Sequence, residues 1–139
     1  MDLTVSHCFL YSNDQDRSLE FYRDVLGFQV TNDVQFEQMR WLSLAPPAQP
    51  GLEIVIETPN ANPNISATDV AAMEDLLAKG YLNAVIFRTA DCDAVFERVS
   101  ASGAEVIQEP IDQPYGVRDC AFRDPAGNQV RFSQVPKQE

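Results

Sequence analysis

Apolar residues change their spacing along the first sixty positions, and each change predicts a different element. Val5–Tyr11 is rich in aromatic and β-branched residues and reads as a strand. Leu19, Tyr22, Val25 and Leu26 then recur at helical spacing behind Asn13 and Asp14, either of which suits an N-cap. Gly27 ends that helix as a left-handed C′ residue. Phe28–Asn32 and Met39–Leu44 follow as strands. Beyond the turn residues Pro46, Pro47, Pro50 and Gly51, the segment Leu52–Ile56 alternates strictly. Leu52, Ile54 and Ile56 fall on one face, with Glu53, Val55 and Glu57 on the other.

The same grammar returns in the second half. SLEFYRDVLGFQV around Gly27 is answered by CDAVFERVSASGAEV around Gly103. There the pattern predicts a strand at 83–89, a helix at 91–102 and a strand at 104–108. A Pro/Gly loop (Glu109–Gly116), a strand at 117–123, the turn Asp124–Asn128 and a last strand to Gln134 complete it. Pro59–Asn64 is a polar, proline-punctuated linker. Ser66 and Asp69 resemble a capping box before Val70, Met73, Leu76 and Leu77, and Gly80 closes that helix. Two copies form a duplicated supersecondary unit, since a solenoid needs three or more stacked repeats. The expected fold is α+β, with two tandem βαβββ modules forming a cupped mixed sheet. Module one spans 4–58, linker and helix 59–81, and module two 82–135, within a single domain over 1–139.

Composition narrows the function classes. The chain is 45% hydrophobic and 22% charged, as in ordinary soluble domains. No apolar run approaches a membrane span, and the N-terminus lacks a basic region, so a cytoplasmic location without membrane attachment is expected. Cys8, Cys92 and Cys120 form no CxxC pair and are expected as buried free thiols. The net charge of −11, with Lys79 and Lys137 the only lysines, excludes nucleic acid as a partner.

The motifs SLEFYRDVLGF (18–28), the Asp91–Gly103 helix, Tyr115-Gly116 and FRDPAGNQVRF (122–132) resemble the vicinal oxygen chelate superfamily, which includes glyoxalase I, extradiol dioxygenases and bleomycin-resistance proteins. That resemblance covers about residues 5–135 and implies the glyoxalase/bleomycin-resistance-like cup. It also implies, in metal-dependent members, a divalent ion on four side chains from the first and last strands of the modules. Mapped onto this chain, the positions fall on His7, Glu53, Ala84 (or Asn83) and Arg131. Alanine is no ligand, and a guanidinium stays protonated. Zinc asks for three protein ligands even in an open site, so no metal or other cofactor is expected; if one binds, His7 and Glu53 hold it.

The remaining residues favour binding. His7, the sole histidine, is the one candidate for acid–base catalysis, and no catalytic residue is assigned beyond it. Phe9 and Tyr11 share its strand parity, and with Trp41 and Tyr115 they are the expected aromatic lining. Glu53 and Arg131, in equivalent positions of the two modules, are expected to form an ion pair where the metal would lie. Arg88 and Arg118 are further cations near the cup or on the surface. The reading is a metal-free, dimeric, small-molecule-binding protein similar to drug-sequestering resistance proteins, with a planar or cationic ligand. The alternative is a glyoxalase-type lyase, isomerase or dioxygenase using His7 and Glu53 with a weakly held divalent metal.

Overall fold

Asp14 adopts the extended backbone of an N-cap and accepts the Arg17 N–H at 3.2 Å, so strand passes into helix within a short turn. The computed structural model of the chain, described here over residues 1–136, builds module one from that junction. It contains β1 (His7–Tyr11), α1 (Gln15–Glu20), β2 (Gln29–Phe36), β3 (Met39–Ala45) and β4 (Glu53–Glu57). After α2 (Ala67–Ala78) come β5 (Ala84–Arg88), α3 (Cys92–Ala101), β6 (Glu105–Asp112), β7 (Arg118–Arg123) and β8 (Gln129–Gln134). The strands form two four-stranded sheets of matching order, β1-β4-β3-β2 and β5-β8-β7-β6. In each, the outer pair (β1 with β4, β5 with β8) is parallel and the rest antiparallel, the signature of two βαβββ units.

One core serves both sheets. Leu10, Tyr22, Leu42, Leu44, Ile54 and Ile56 pack in a continuous cluster with Cys92, Val99, Phe122, Val130 and Phe132. Phe28 meets Phe87 edge-on across the modules, ring centroids 5.2 Å apart. The helix side of each sheet is therefore the buried side, and the opposite sides remain open. A polar joint reinforces the contact between modules. The Tyr22 hydroxyl donates to Asp124 Oδ2 at 2.7 Å, and Asn128 Nδ2 donates to the Tyr11 carbonyl at 2.7 Å.

Several elements differ in extent from the sequence pattern. α1 continues as a π-helical turn, Phe21–Val25, in which the Leu26 N–H reaches back to the Phe21 carbonyl. The wider turn brings Phe21 into the core beside Tyr22, while Val25 and Leu26 are only partly buried. β2 runs to Phe36 and turns at Glu37 (φ +55°), well past Asn32. β6 extends through Pro110 to Asp112, over residues that the pattern assigns to a loop. It is an edge strand with irregular register, so a missing N–H breaks no ladder. Of the expected stripe on α2 only Leu77 is buried, and Leu76 is exposed, because that helix meets the body mainly at its C-terminal end.

All three cysteines are free thiols, with Cys92 and Cys120 buried. Burial, with Cys92 adjacent, pushes the Cys120 thiol up to about 12, which makes it a packing group rather than a nucleophile. No helix among the described residues is long and apolar enough to cross a membrane.

Candidate functional site

Strand alternation builds the site on the open face of the first sheet. Since Leu10, Ile54 and Ile56 face the core, their neighbours must face outward. Parallel pairing sets His7 opposite Glu53, Phe9 opposite Val55 and Tyr11 opposite Glu57, while Ser43 of β3 stands beside Val55. Trp41 completes the wall, its ring 6.3 Å from both His7 and Phe9 in edge-on contact. Phe9 is 44% and Trp41 42% exposed, high values for aromatic residues in a sheet.

Glu53 is fully engaged within this chain. Its Oε2 lies 2.9 Å from His7 Nε2, and its Oε1 accepts from Ser43 Oγ and from Asn32 Nδ2, each at 3.0 Å. The Thr31 hydroxyl bonds Ser43 at 2.7 Å, and His7 Nδ1 meets Ser6 Oγ at 2.8 Å. The Thr31 and Ser43 hydroxyls, then His7 and Asn32, hold the Glu53 carboxyl below its usual range. A depressed folded-state pKa contributes stability above the unfolded value. This contribution is present at neutral pH and is lost as pH falls through the folded value.

The open face of the second sheet carries a separate polar group. Arg131 Nη1 bonds Gln108 Oε1 at 3.0 Å and lies 3.2 Å from Asp119 Oδ2. Asp119 is buried and also accepts from Gln108 Nε2 at 2.7 Å and Gln113 Nε2 at 2.8 Å. Burial alone would raise the Asp119 carboxyl, but Gln113, Gln108 and Arg131 together hold it below its ordinary value.

The expected Glu53–Arg131 ion pair is therefore corrected, because each charge is neutralised on its own sheet. The cause is register. The Glu53 N–H bonds the Ser6 carbonyl as the Gln129 N–H bonds the Asn83 carbonyl, so His7 corresponds to Ala84 and Glu53 to Gln129. Arg131 sits one pair further along the same face, opposite Ile86. The counterpart of the His7–Glu53 pair is thus Ala84–Gln129. Among the described residues no three His, Cys, Asp or Glu side chains are grouped to hold an ion. The residues present do not fit a divalent metal.

Other expected lining residues are dispersed. Tyr115 stands in the β6–β7 loop of module two, 72% exposed. Arg118 points to the helix side, paired with Asp93 at 2.9 Å and Asp112 at 3.3 Å, and Arg88 is exposed. No sequence signal marks Thr31, Asn32, Ser43, Gln108, Gln113 or Asp119, ordinary polar residues whose role depends on which strand pairs with which. A cavity of about 820 Å³ opens beside the wall, lined by Trp41, Val55, Glu57, Thr58 and Asn60 among others. On the helix side a cleft of about 720 Å³ runs between α1 and the 124–128 turn. Charges there, such as Arg123 with Glu105 and Arg23 with Asp24, are already paired at the surface.

Comparison with known proteins agrees with this architecture. Residues 4–132 match the model of the Glyoxalase/Bleomycin resistance protein/Dioxygenase superfamily. The chain is 33% identical over 138 residues to the uncharacterized protein YurT of Bacillus subtilis (strain 168), covering 96% of this chain and 99% of that one. Among solved structures it is similar to UcmS2, with a TM-score of 0.86 and 30% identity over 96% of this chain and 98% of the other. It is also similar to TnmS3, an antibiotic binding protein from Streptomyces sp. CB03234. That match has a TM-score of 0.75 and 25% identity over 97% and 98% of the two chains.

Proposed function

The chain belongs to the Glyoxalase/Bleomycin resistance protein/Dioxygenase superfamily, and within it we propose a metal-free protein that binds and sequesters a small planar molecule. The observation that carries this reading is the closure of His7 and Glu53 on each other and on Ser6, Ser43 and Asn32 beside an aromatic wall. A lyase, isomerase or dioxygenase with a bound metal would need these two side chains released and further donors supplied. The Ala84–Gln129 pair of module two is no such source. The likeness to an antibiotic binding protein supports a small-molecule ligand.

The working form is a cytoplasmic homodimer. Phe9, Val34, Phe36, Trp41 and Ile86 are exposed on the open faces of the two sheets, apolar surface that a second copy can cover. A second copy related by two-fold symmetry covers these faces and encloses the cavity between a module of each chain. A net charge of −11 repels the phosphate backbone of nucleic acid.

Native mass spectrometry of protein purified without chelator tests both points. The expected species is a dimer of about 31 kDa, twice the 15.5 kDa chain, with no Ni²⁺, Zn²⁺, Fe²⁺ or Mn²⁺ adduct. One metal per chain, lost in a His7→Ala variant, would overturn the metal-free reading. A stable monomer at micromolar concentration would overturn the two-chain cavity.

A further inference from the structure

The open face of the first sheet ends in a carboxylate that the fold does not use. Glu57 ends β4, in register with Tyr11 on β1. On the other side, pairing of Leu42 with Ile56 places Trp41 next to it on β3. It lines the cavity of about 820 Å³ together with Trp41, Val55, Thr58 and Asn60. Burial is the one influence that shifts its carboxyl, upward, with no side-chain donor or cation contributing. Glu53, on the same outer side of β4, has three partners; Glu57 has no side-chain partner among the described residues. The fold thus leaves a partly buried negative charge uncompensated, an arrangement that costs free energy unless something supplies the counter-charge.

Cations of the chain nearby are already committed. Arg40 lines the same cavity, but its guanidinium is held by Asp16 at 2.7 Å and by Asp33 at 2.8 Å. Glu37, also in the lining, adds a second negative charge. A carboxylate on the strand between those that carry Trp41 and Tyr11, lining the cavity with the indole, suits an organic cation. The ring faces attract positive charge through their quadrupoles, and the carboxylate forms a charge-assisted hydrogen bond to an ammonium N–H.

We propose that Glu57, flanked by Trp41 and Tyr11, anchors a protonated amine carried by a planar aromatic ligand. The inference rests on the binding function proposed above and names the chemical class its ligand belongs to. Thr58, Asn60 and Asn62 at the cavity rim supply neutral hydrogen-bonding groups for the remainder of such a molecule.

Calorimetric titration with two probes separates this anchor from the cup itself. 9-Aminoacridine is a planar cation near neutral pH, and phenazine is a neutral tricycle of similar size. Wild-type protein is expected to bind both, the cation more tightly. Glu57→Gln is expected to weaken 9-aminoacridine about tenfold or more, from the low end of the range for loss of a hydrogen bond to a charged group upward, and to leave phenazine unchanged. A thermal melt of the variant within a few degrees of wild type establishes that it is folded. Equal loss for both probes, or no loss for the cation, overturns the Glu57 anchor while the cup reading stands. Failure of wild-type protein to bind either probe overturns both.

Discussion

Replacement of Asp124 by alanine is expected to lower the unfolding free energy by about 3–5 kcal/mol, the scale for stranding buried polar partners. Its Oδ1 accepts the backbone N–H groups of Ala126 (3.0 Å), Gly127 (3.0 Å) and Asn128 (2.9 Å). Its Oδ2 accepts the Tyr22 hydroxyl at 2.7 Å and Asn128 Nδ2 at 2.9 Å. All these donors lie in buried surroundings, and Tyr22 is completely enclosed. Burial nonetheless pushes the Asp124 carboxyl above its ordinary range, outweighing the donors from Asn128, Tyr22 and Ala126. For a raised folded-state pKa, the stabilising contribution is present below the unfolded value and fades as pH rises through the folded value. Asp124→Asn keeps the shape and one acceptor oxygen for the backbone N–H groups but offers an NH2 where Tyr22 and Asn128 donate, so it is expected to cost an amount between wild type and alanine. Urea unfolding reads both variants through the transition midpoint. Should the alanine variant fail to fold, Tyr22→Phe removes one donor and is expected to cost about 1 kcal/mol. A loss under about 1 kcal/mol for Asp124→Ala would mean that this cluster does not join the modules.

Gly127→Ala is expected to destabilise the fold by about 3 kcal/mol or more, combining backbone strain with overpacking. Gly127 has φ +116°, where a side chain is strained whatever the space. A Cβ there would also run into the carbonyl oxygen of Leu77 at the end of α2. Backbone meets backbone at that point, so no side-chain rotation relieves the clash. Gly103 is the control: its φ is +86°, but a Cβ there meets nothing within 4 Å. Gly103→Ala should therefore cost only the conformational strain, about 1–2 kcal/mol. Equal costs for the two substitutions in urea unfolding would show that α2 does not press on the turn.

These two positions also show what is legible in the sequence. The DPAGN turn and the glycine after each module's helix carry their meaning locally, through turn geometry and positive φ, and the fold follows from their repetition. Strand parity likewise sorts His7, Phe9, Tyr11 and Glu53 onto the outer face, because alternation along a strand is a local property. Parity does not determine register between modules. β8 keeps the offset of the helices, so the counterpart of Glu53 is Gln129 and not Arg131, while β5 is shifted one residue further and answers His7 with Ala84. Asp119 is illegible for a different reason: nothing nearby in sequence marks a buried carboxylate whose partners, Gln108 and Arg131, lie on two other strands. The π-helical turn at Phe21–Val25 is hidden because its one-residue shift keeps the hydrophobic pattern nearly helical.

Ligand binding on this wall is expected to need no metal. The most direct test is calorimetric titration of phenazine into protein dialysed against EDTA, repeated after removal of EDTA and addition of one equivalent of Ni²⁺. The account predicts saturable binding in both samples with affinities equal within about twofold, a difference of about 0.4 kcal/mol. Absence of binding in the stripped protein, with recovery on adding Ni²⁺, would contradict it and return His7 and Glu53 to the role of metal ligands.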